Sequence, residues 1–374
     1  MKVALVHDDF LQTGGAESLF ATIASLWPDA PVYTSLVDWN KLPATINRNR
    51  VRPSFMQKIP FATKFYKLLL PLYPLAFESF GFDDFDIVIS STTRFANSII
   101  TKPKTTHICY LNSLPRFLWN HQTQKDYLKS LVAIFTRPLF NWLKRWDKVA
   151  SSRVDHYIAN SQNIALKLKK FYKRESLVIY PFANLKFFKP AKIHNWELKS
   201  QNYFLIVSRL VKWKKIDLAI KVALALNINL KIVGKGPDEV RLKKIVTSRQ
   251  LPVASCQIEF LGKVTKGQLR ALYRNCQALI VTQEEDFGIA LVEVQACGRP
   301  AIAYHHGGQR EIIKEGKTGL FFSSQTEEVL EDAIRAFFKV KWKISAARNS
   351  ALRFSRSAFV TRLTESVKNY AQNS

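Results

Sequence analysis

Residues 278–320 run ALIVTQEEDFGIALVEVQACGRPAIAYHHGGQREIIKEGKTGL. A short apolar run at 278–282 has the length of a buried strand. It leads into an acidic turn, Glu284-Glu285-Asp286, then Phe287-Gly288, then a helix-like stretch at 289–297 that stops at Gly298. A second apolar run follows at 300–304. Strand, turn, helix, strand is the βαβ unit of a parallel sheet. The same alternation extends outward in both directions. Strand-like runs stand at 3–6, 87–90, 107–111, 156–159 and 177–180, and again at 203–207, 230–233, 258–261 and 319–322. Amphipathic stretches at 164–171, 217–225, 268–275 and 327–338 separate some of them. The fold class is α/β, with two similar parallel-sheet units. Residues 182–202 carry no strand-like run and read as the connection between them.

Chemistry concentrates at the turn. A helix starting after Gly288 offers backbone N–H groups and the positive end of its dipole, a seat for phosphate. Carboxylates just ahead of that seat would repel phosphate and are better suited to hydroxyl groups. Glu293, further along the same helix, can reach a second set of hydroxyls. A ligand with phosphate between two polyols, a nucleotide sugar, meets both demands. In VSRLVKWKKIDLAI (207–220), Arg209 and Lys214 follow a strand in the loop before the next helix. Two fixed cations there would stabilise a leaving diphosphate.

The pattern Glu285-x7-Glu293 within EEDFGIALVE, continued by CGRPAIAYHHGGQREII and EGKTGLFF, resembles the family 4 glycosyltransferases of GT-B fold. Its form is similar to the mannosyltransferase-like branch of bacterial surface-polysaccharide synthesis. The resemblance implies two Rossmann-like domains with parallel sheets facing across a cleft. It implies residues 1–185 as the N-terminal, acceptor-side domain, 186–200 as linker and 201–346 as the nucleotide-sugar-binding domain. A C-terminal helix in 347–374 would cross back to the first domain. It also implies a retaining, metal-independent transfer of a hexose to a glycan or lipid-linked acceptor, with GDP-mannose favoured as donor and a UDP-sugar as the alternative. No cofactor is expected.

Carried onto this chain, the resemblance gives Glu285 the donor sugar hydroxyls, Glu293 the ribose, and Arg209 with Lys214 the diphosphate. Backbone groups from Phe287 and Gly288 through Ile289, Ala290 and Leu291 would assist. The loop FLGKV, ending at Val264, would pass near the base. HDDFLQTGGAE (7–17) is similar to the family's first strand and glycine-rich loop, in which Gly14 and Gly15 allow close approach of a ligand. HICYLNSLPRFLW (107–119) matches the family at Arg116 and departs from it at Asn112, where relatives carry a histidine against the donor sugar. Asn cannot carry a proton at neutral pH. A catalytically degenerate relative that binds glycan, lipid or nucleotide without turnover is therefore the alternative reading.

The chain has 374 residues, 47% hydrophobic and 23% charged, enough apolar material for two cores. Cys109, Cys256, Cys276 and Cys297 lie 147, 20 and 21 residues apart, which excludes a CxxC pair and a zinc knuckle and suits a reducing compartment. Asp84-Phe85-Asp86 precedes a strand rather than following one, and His305-His306 lacks the spacing of a metal site. The net charge of +27 is divided almost evenly, with 28 basic and 14 acidic residues in 1–200 and 28 and 15 in the remainder. That excess favours phosphate-rich partners. Without a recognised module or a basic arm, it predicts no specific nucleic-acid recognition. Residues 61–80 and 128–149, rich in aromatics, Leu and Lys, fit either helices packed on the first sheet or an anionic membrane surface as partner, with Pro71, Pro74 and Pro138 interrupting any long helix. The expected location is cytoplasmic, peripheral to the inner face of the membrane if that surface is used.

Overall fold

Val3–His7 (β1) is five residues long and buried throughout. In an all-parallel sheet covered on both faces, such a strand has no polar side to show. It pairs with Val32–Thr34 (β2) on one edge and Ile87–Thr92 (β4) on the other, and Val51–Pro53 (β3) lies beyond β2. Thr106–Leu111 (β5), His156–Ala159 (β6) and Leu177–Val178 (β7) complete the order β3-β2-β1-β4-β5-β6-β7, every pair parallel. A second sheet has the order β10-β9-β8-β11-β12-β13. Its strands are Tyr203–Val207 (β8), Asn229–Val233 (β9), Ile258–Gly262 (β10), Leu279–Val281 (β11), Ala301–Tyr304 (β12) and Gly319–Phe322 (β13), again all parallel. The computed structural model describes residues 1–119, 133–191, 202–248 and 256–372. Two units result, Met1–Pro181 with Phe359–Ser374, and Phe182–Ala358. The expected α/β class with two parallel sheets is what the chain adopts.

In each sheet the strand order reverses once, between β1 and β4 and between β8 and β11. At such a reversal the two following connections leave in opposite directions, so a crevice opens outside the carboxyl ends of the strands, where α/β sheets bind ligands. The loop after β8 carries Arg209 and Lys214. The loop after β11 carries Glu285.

Several expectations are corrected. Strands β2 and β3 have three residues each, too few for a period to register, and were not expected. Residues 182–191 are not a free connection, because Leu185 and Phe188 are buried in the second unit. The Phe188 ring meets that of Tyr273 at 5.7 Å, and Arg348 donates to the carbonyls of both Leu185 and Phe188. The rest of the expected linker, 192–200, lies outside the described residues, as do 128–132 of the second aromatic segment. In place of one helix over 347–374 there are two, Ile344–Leu352 and Arg356–Gln372. Of the latter, Phe359 onward belongs to the first unit, where Phe359 meets Tyr110 at 5.8 Å and Tyr370 stacks on His156 at 3.8 Å.

The prolines divide. Pro71 and Pro74 do break residues 61–80 into short turns of helix, each proline at the start of one. Pro138 does not interrupt Ala133–Ala150, an 18-residue helix. It stands near the N-terminal end and forfeits one backbone hydrogen bond there. Burial of Phe140 and Leu143 in the core of the first unit offsets that loss; fully burying such a side chain contributes about 1.5–3 kcal/mol.

Candidate functional site

In the second unit, Lys214 closes a single 3-10 turn, Lys212–Lys214, and Lys215 follows in the left-handed region at φ 51°. That turn directs the Lys214 side chain inward, where it is only 10% exposed. Its ammonium lies 2.5 Å from Glu285 Oε1 and 4.3 Å from the centre of the Trp213 ring. The Lys214 carbonyl accepts from Thr282 Oγ1 at 2.7 Å, which ties the β8 loop to the end of β11. Glu285 Oε1 also accepts from Gln283 Nε2, and Glu285 N–H donates to Gln309 Oε1 at 3.0 Å. Gln309, fully buried, donates in turn to the carbonyls of Gln283 and Tyr304, 2.8 Å each. Two donors on one carboxylate oxygen and an anchored main chain hold Glu285 in this orientation.

Glycines close the frame. A Cβ on Gly307 would stand 2.3 Å from the Glu285 carbonyl oxygen, and one on Gly308 would stand 2.5 Å from that of Asp286. The HHGG loop therefore lies directly on the acidic turn. His305 stacks on Phe321 at 4.5 Å and His306 on Tyr304 at 4.7 Å. On the other side, Gly234 at φ +133° would place a Cβ 1.8 Å from the Ser208 carbonyl oxygen, and Gly236 one 2.1 Å from that of Leu210. The IVGKGPD turn thus supports the segment that holds Arg209, whose own side chain is exposed.

Gly288, at φ 104°, caps helix Ile289–Ala296. Of the residues expected to contribute there, Gly288, Ile289 and Ala290 stand at the helix start. Leu291 N–H already donates to the Gly288 carbonyl at 2.9 Å, and its side chain is buried. The Phe287 side chain is likewise part of the core, its ring 5.4 Å from that of Phe354. Phe287 and Leu291 therefore have no side chain to give a ligand, since apolar burial at this tightly packed turn takes both. Val264 lines a recess of about 400 Å³ between the β10 edge and helix Lys266–Asn275, together with Lys231, Leu261 and Gln268.

Glu293 Oε2 accepts from the Tyr273 hydroxyl at 2.9 Å, and burial pushes its carboxyl up to about 7 despite that hydrogen bond. The folded protein holds this proton more tightly than the unfolded chain, so stability falls as pH rises from about 4.5 to about 7. Glu293→Gln keeps an acceptor for Tyr273 and removes the titration. The variant is expected to match the parent near pH 4 and to exceed it by about 3–4 kcal/mol above pH 7 in urea unfolding. A constant difference across that range would remove the buried carboxyl from the account.

The first unit holds the remaining expected residues. Gly14 precedes helix Gly15–Leu26, and a Cβ on Gly15 would meet nothing within 4 Å, so packing gives no reason for glycine there. Asn112 stands at the end of β5. Its amide donates to Ser91 Oγ at 3.0 Å and its carbonyl accepts from Asn160 at 2.8 Å. Arg116 opens the short helix Arg116–Trp119. His107 is fully buried with Nε2 at 2.8 Å from Ser90 Oγ, and burial pushes it down to about 3. It stays neutral and cannot take over from the absent histidine. Asp86 accepts from Lys2 N–H at 2.7 Å at the start of β4, the opposite end of that strand from the crevice.

An unexpected network binds the crevice edge of this unit. Asp8 accepts from Thr92 Oγ1, Thr93 N–H and the N–H groups of Phe95 and Ala96. Burial pushes its carboxyl up, but the charges of Arg94 and His7 and the two backbone donors at Thr93 and Ala96 outweigh that and hold it low. Asp9 pairs with Arg94. Two adjacent acids after a strand were the available signal, although nothing in sequence indicated their partners, more than 80 residues away. Trp213, Gln283, Gln309 and Tyr273 were missed although their partners lie only 1 to 24 residues away, because single polar or aromatic residues carry no periodicity that marks a side-chain contact.

Residues 189–354 match the glycosyl transferases group 1 family. Relatives include an uncharacterized glycosyltransferase of Methanocaldococcus jannaschii, 28% identical over 59% of this chain and 58% of its own length. A D-inositol 3-phosphate glycosyltransferase of Pseudarthrobacter chlorophenolicus is 27% identical over 42% of this chain and 41% of its own, and the alpha-1,3/1,6-mannosyltransferase ALG2 of Dictyostelium discoideum 24% over 60% and 63%. The chain thus spans roughly half the length of the curated relatives it matches. Among solved structures, Anabaena HepE in complex with UDP and glucose has a TM-score of 0.71 at 19% identity, covering 98% of this chain and 99% of that one. Sucrose-phosphate synthase from Thermosynechococcus elongatus has 0.72 at 17%, covering 100% of each. The fold is GT-B.

Proposed function

We propose that the protein is a glycosyltransferase that moves a hexose from a nucleoside diphosphate sugar to a glycan or lipid-linked acceptor. The observation that carries this is the Lys214–Glu285 pair, set at the strand-order reversal of the second sheet beside the helix start at Gly288. A cation and a carboxylate in contact provide complementary sites for the two halves of a sugar phosphate. Arriving phosphate oxygens take the Lys214 ammonium, and the released Glu285 carboxylate accepts from sugar hydroxyls. The bond between the anomeric carbon and the diphosphate oxygen breaks, the acceptor hydroxyl oxygen bonds to that carbon, and its proton leaves with the diphosphate, on which charge accumulates as the bond breaks. Lys214, Arg209 and the N–H groups at the helix start stabilise it there. Glu293, oriented by Tyr273, takes the ribose, and the loop ending at Val264 takes the base. The family resemblance adds retention of anomeric configuration without a covalent enzyme intermediate, and independence from metal.

GDP-mannose is the first donor to test, favoured by the mannosyltransferase ALG2 among the relatives; the UDP and glucose of the HepE complex favour a UDP-sugar. Thermal shift with UDP, GDP, ADP and their sugar conjugates, in EDTA and again with magnesium, decides between them. A ligand at 100 times its Kd stabilises by about 2.7 kcal/mol. Stabilisation by one base series in EDTA is the expected result. No shift with any nucleotide, with or without magnesium, would sink the reading.

Asn112 favours a second reading, binding without turnover. Asn112→His separates the two. On the reading proposed here, it changes transfer by less than about tenfold, because Asn112 is already engaged with Ser91 and its main chain with Asn160. A gain of several orders of magnitude would mark a decayed site.

A further inference from the structure

Residues 55–79 hold one carboxylate, Glu78, and helix Ala133–Ala150 holds one, Asp147. Neither faces solvent as a free charge. Glu78 Oε1 accepts from Trp146 Nε1 at 2.9 Å and pairs with Arg153 at 2.6 Å. Asp147 is fully buried and accepts from Trp119 and Tyr172, 2.6 Å each. The two segments share one apolar cluster, in which Ala62, Tyr73 and Phe77 stand with Phe140 and Leu143. Among the described residues, the charged side chains that these segments leave exposed are all basic. Lys64, Lys67, Arg137, Arg145 and Lys148 are exposed, and between them large apolar side chains also face water: Phe61 at 74%, Leu68 at 76%, with Phe65, Leu75 and Trp142 about half exposed. Apolar side chains this exposed and this closely spaced mark an interaction surface rather than ordinary scatter.

Phe61 also holds the left-handed region, φ 57° and ψ 19°, which costs energy for any residue with a Cβ. Side-chain burial does not repay that cost, because the ring points into solvent; the Phe61 carbonyl accepts from Lys64 and Phe65 N–H at 2.9 and 3.0 Å.

We infer that this face docks on an anionic phospholipid surface, with Phe61, Phe65 and Leu68 entering the headgroup region and the flanking cations meeting lipid phosphates. Bulk charge alone would not select Phe and Leu at the contact, whereas a bilayer interface rewards them. A nucleic acid offers phosphate and no apolar layer. The inference stands independently of the proposed transfer chemistry.

The test is co-sedimentation of the full chain with vesicles of phosphatidylcholine alone and with about 30% phosphatidylglycerol added. The parent protein is expected to bind the anionic vesicles and to bind the neutral ones weakly. Phe61→Ser/Phe65→Ser/Leu68→Ser and Lys64→Glu/Lys67→Glu are each expected to weaken binding by about tenfold or more. Lys339→Glu/Lys341→Glu, with the same charge change on exposed residues of the other unit, should stay within about twofold of the parent. Phe61→Gly should raise Tm while lowering vesicle binding, a combination that lost packing cannot produce. Equal binding by the triple serine variant would overturn the inference. So would an equal loss with Lys339→Glu/Lys341→Glu, or binding to RNA that displaces the vesicles and ignores the serine changes.

Discussion

Glu285→Ala is expected to lower sugar transfer by about 10³-fold while the protein still folds. That factor is roughly 4 kcal/mol of transition-state stabilisation. It is of the size that loss of one fixed electrostatic partner in a water-poor site produces. The structural cost is smaller. Removing the carboxylate takes a contact ion-pair partner from the Lys214 ammonium, which is 10% exposed and faces the Trp213 ring, at about 1–3 kcal/mol. Activity and Tm must therefore be measured on the same preparation, well below the transition. Glu285→Gln sharpens the result, since it keeps an oxygen for sugar hydroxyls and loses the charge. A binding role predicts that Gln recovers much of the donor affinity, whereas a role in neutralising Lys214 predicts that it recovers little. Turnover at the parental rate in Glu285→Ala would remove Glu285 from the site and the proposed chemistry with it.

What the sequence disclosed about this site depended on range. Glu285, Gly288 and Glu293 lie within nine residues on one turn and one helix, so their spacing was readable as a ligand seat. Lys214 was readable as a loop cation after β8. Its contact with Glu285 spans 71 residues and exists only because β8 and β11 are neighbours across a strand-order reversal. No periodicity encodes that neighbour. Gln309 illustrates the limit further: inside GGQRE it reads as one polar residue among several, and only burial beneath the Glu285 main chain reveals its function. The same limit explains residues 182–191. Their composition is that of a connection, and they fold because Tyr273 and Arg348, far along the chain, receive Phe188 and Leu185. Phe287 sits in the motif while its ring serves the core against Phe354, which leaves its main chain for the expected role.

Gly234→Ala is expected to be the most damaging single-atom-group change in the second unit. The added Cβ would stand 1.8 Å from the Ser208 carbonyl oxygen, a backbone atom that no rotamer change can move. It would also hold φ +133°, outside the regions an alanine adopts without strain. Overpacking of about 1–3 kcal/mol and backbone strain of similar size add to about 3–5 kcal/mol. For a unit of this size that is a fall in Tm of about 10 °C. Gly81→Ala is the control, since its Cβ would meet nothing within 4 Å and its φ is ordinary; it should stay within about 0.5 kcal/mol of the parent. The functional consequence follows from where the strain can go. Gly234 N–H donates to the Gly262 carbonyl at 2.8 Å, and Ser208 N–H donates to the Val233 carbonyl at 3.0 Å. If the sheet side holds, the loop carrying Arg209 must shift outward. Donor affinity should then fall further than residual stability explains, measured at a temperature where the variant is fully folded. Unchanged Tm and affinity in Gly234→Ala would mean that the β8 and β9 loops lie further apart than described. Arg209 would then lose its support as the second phosphate cation.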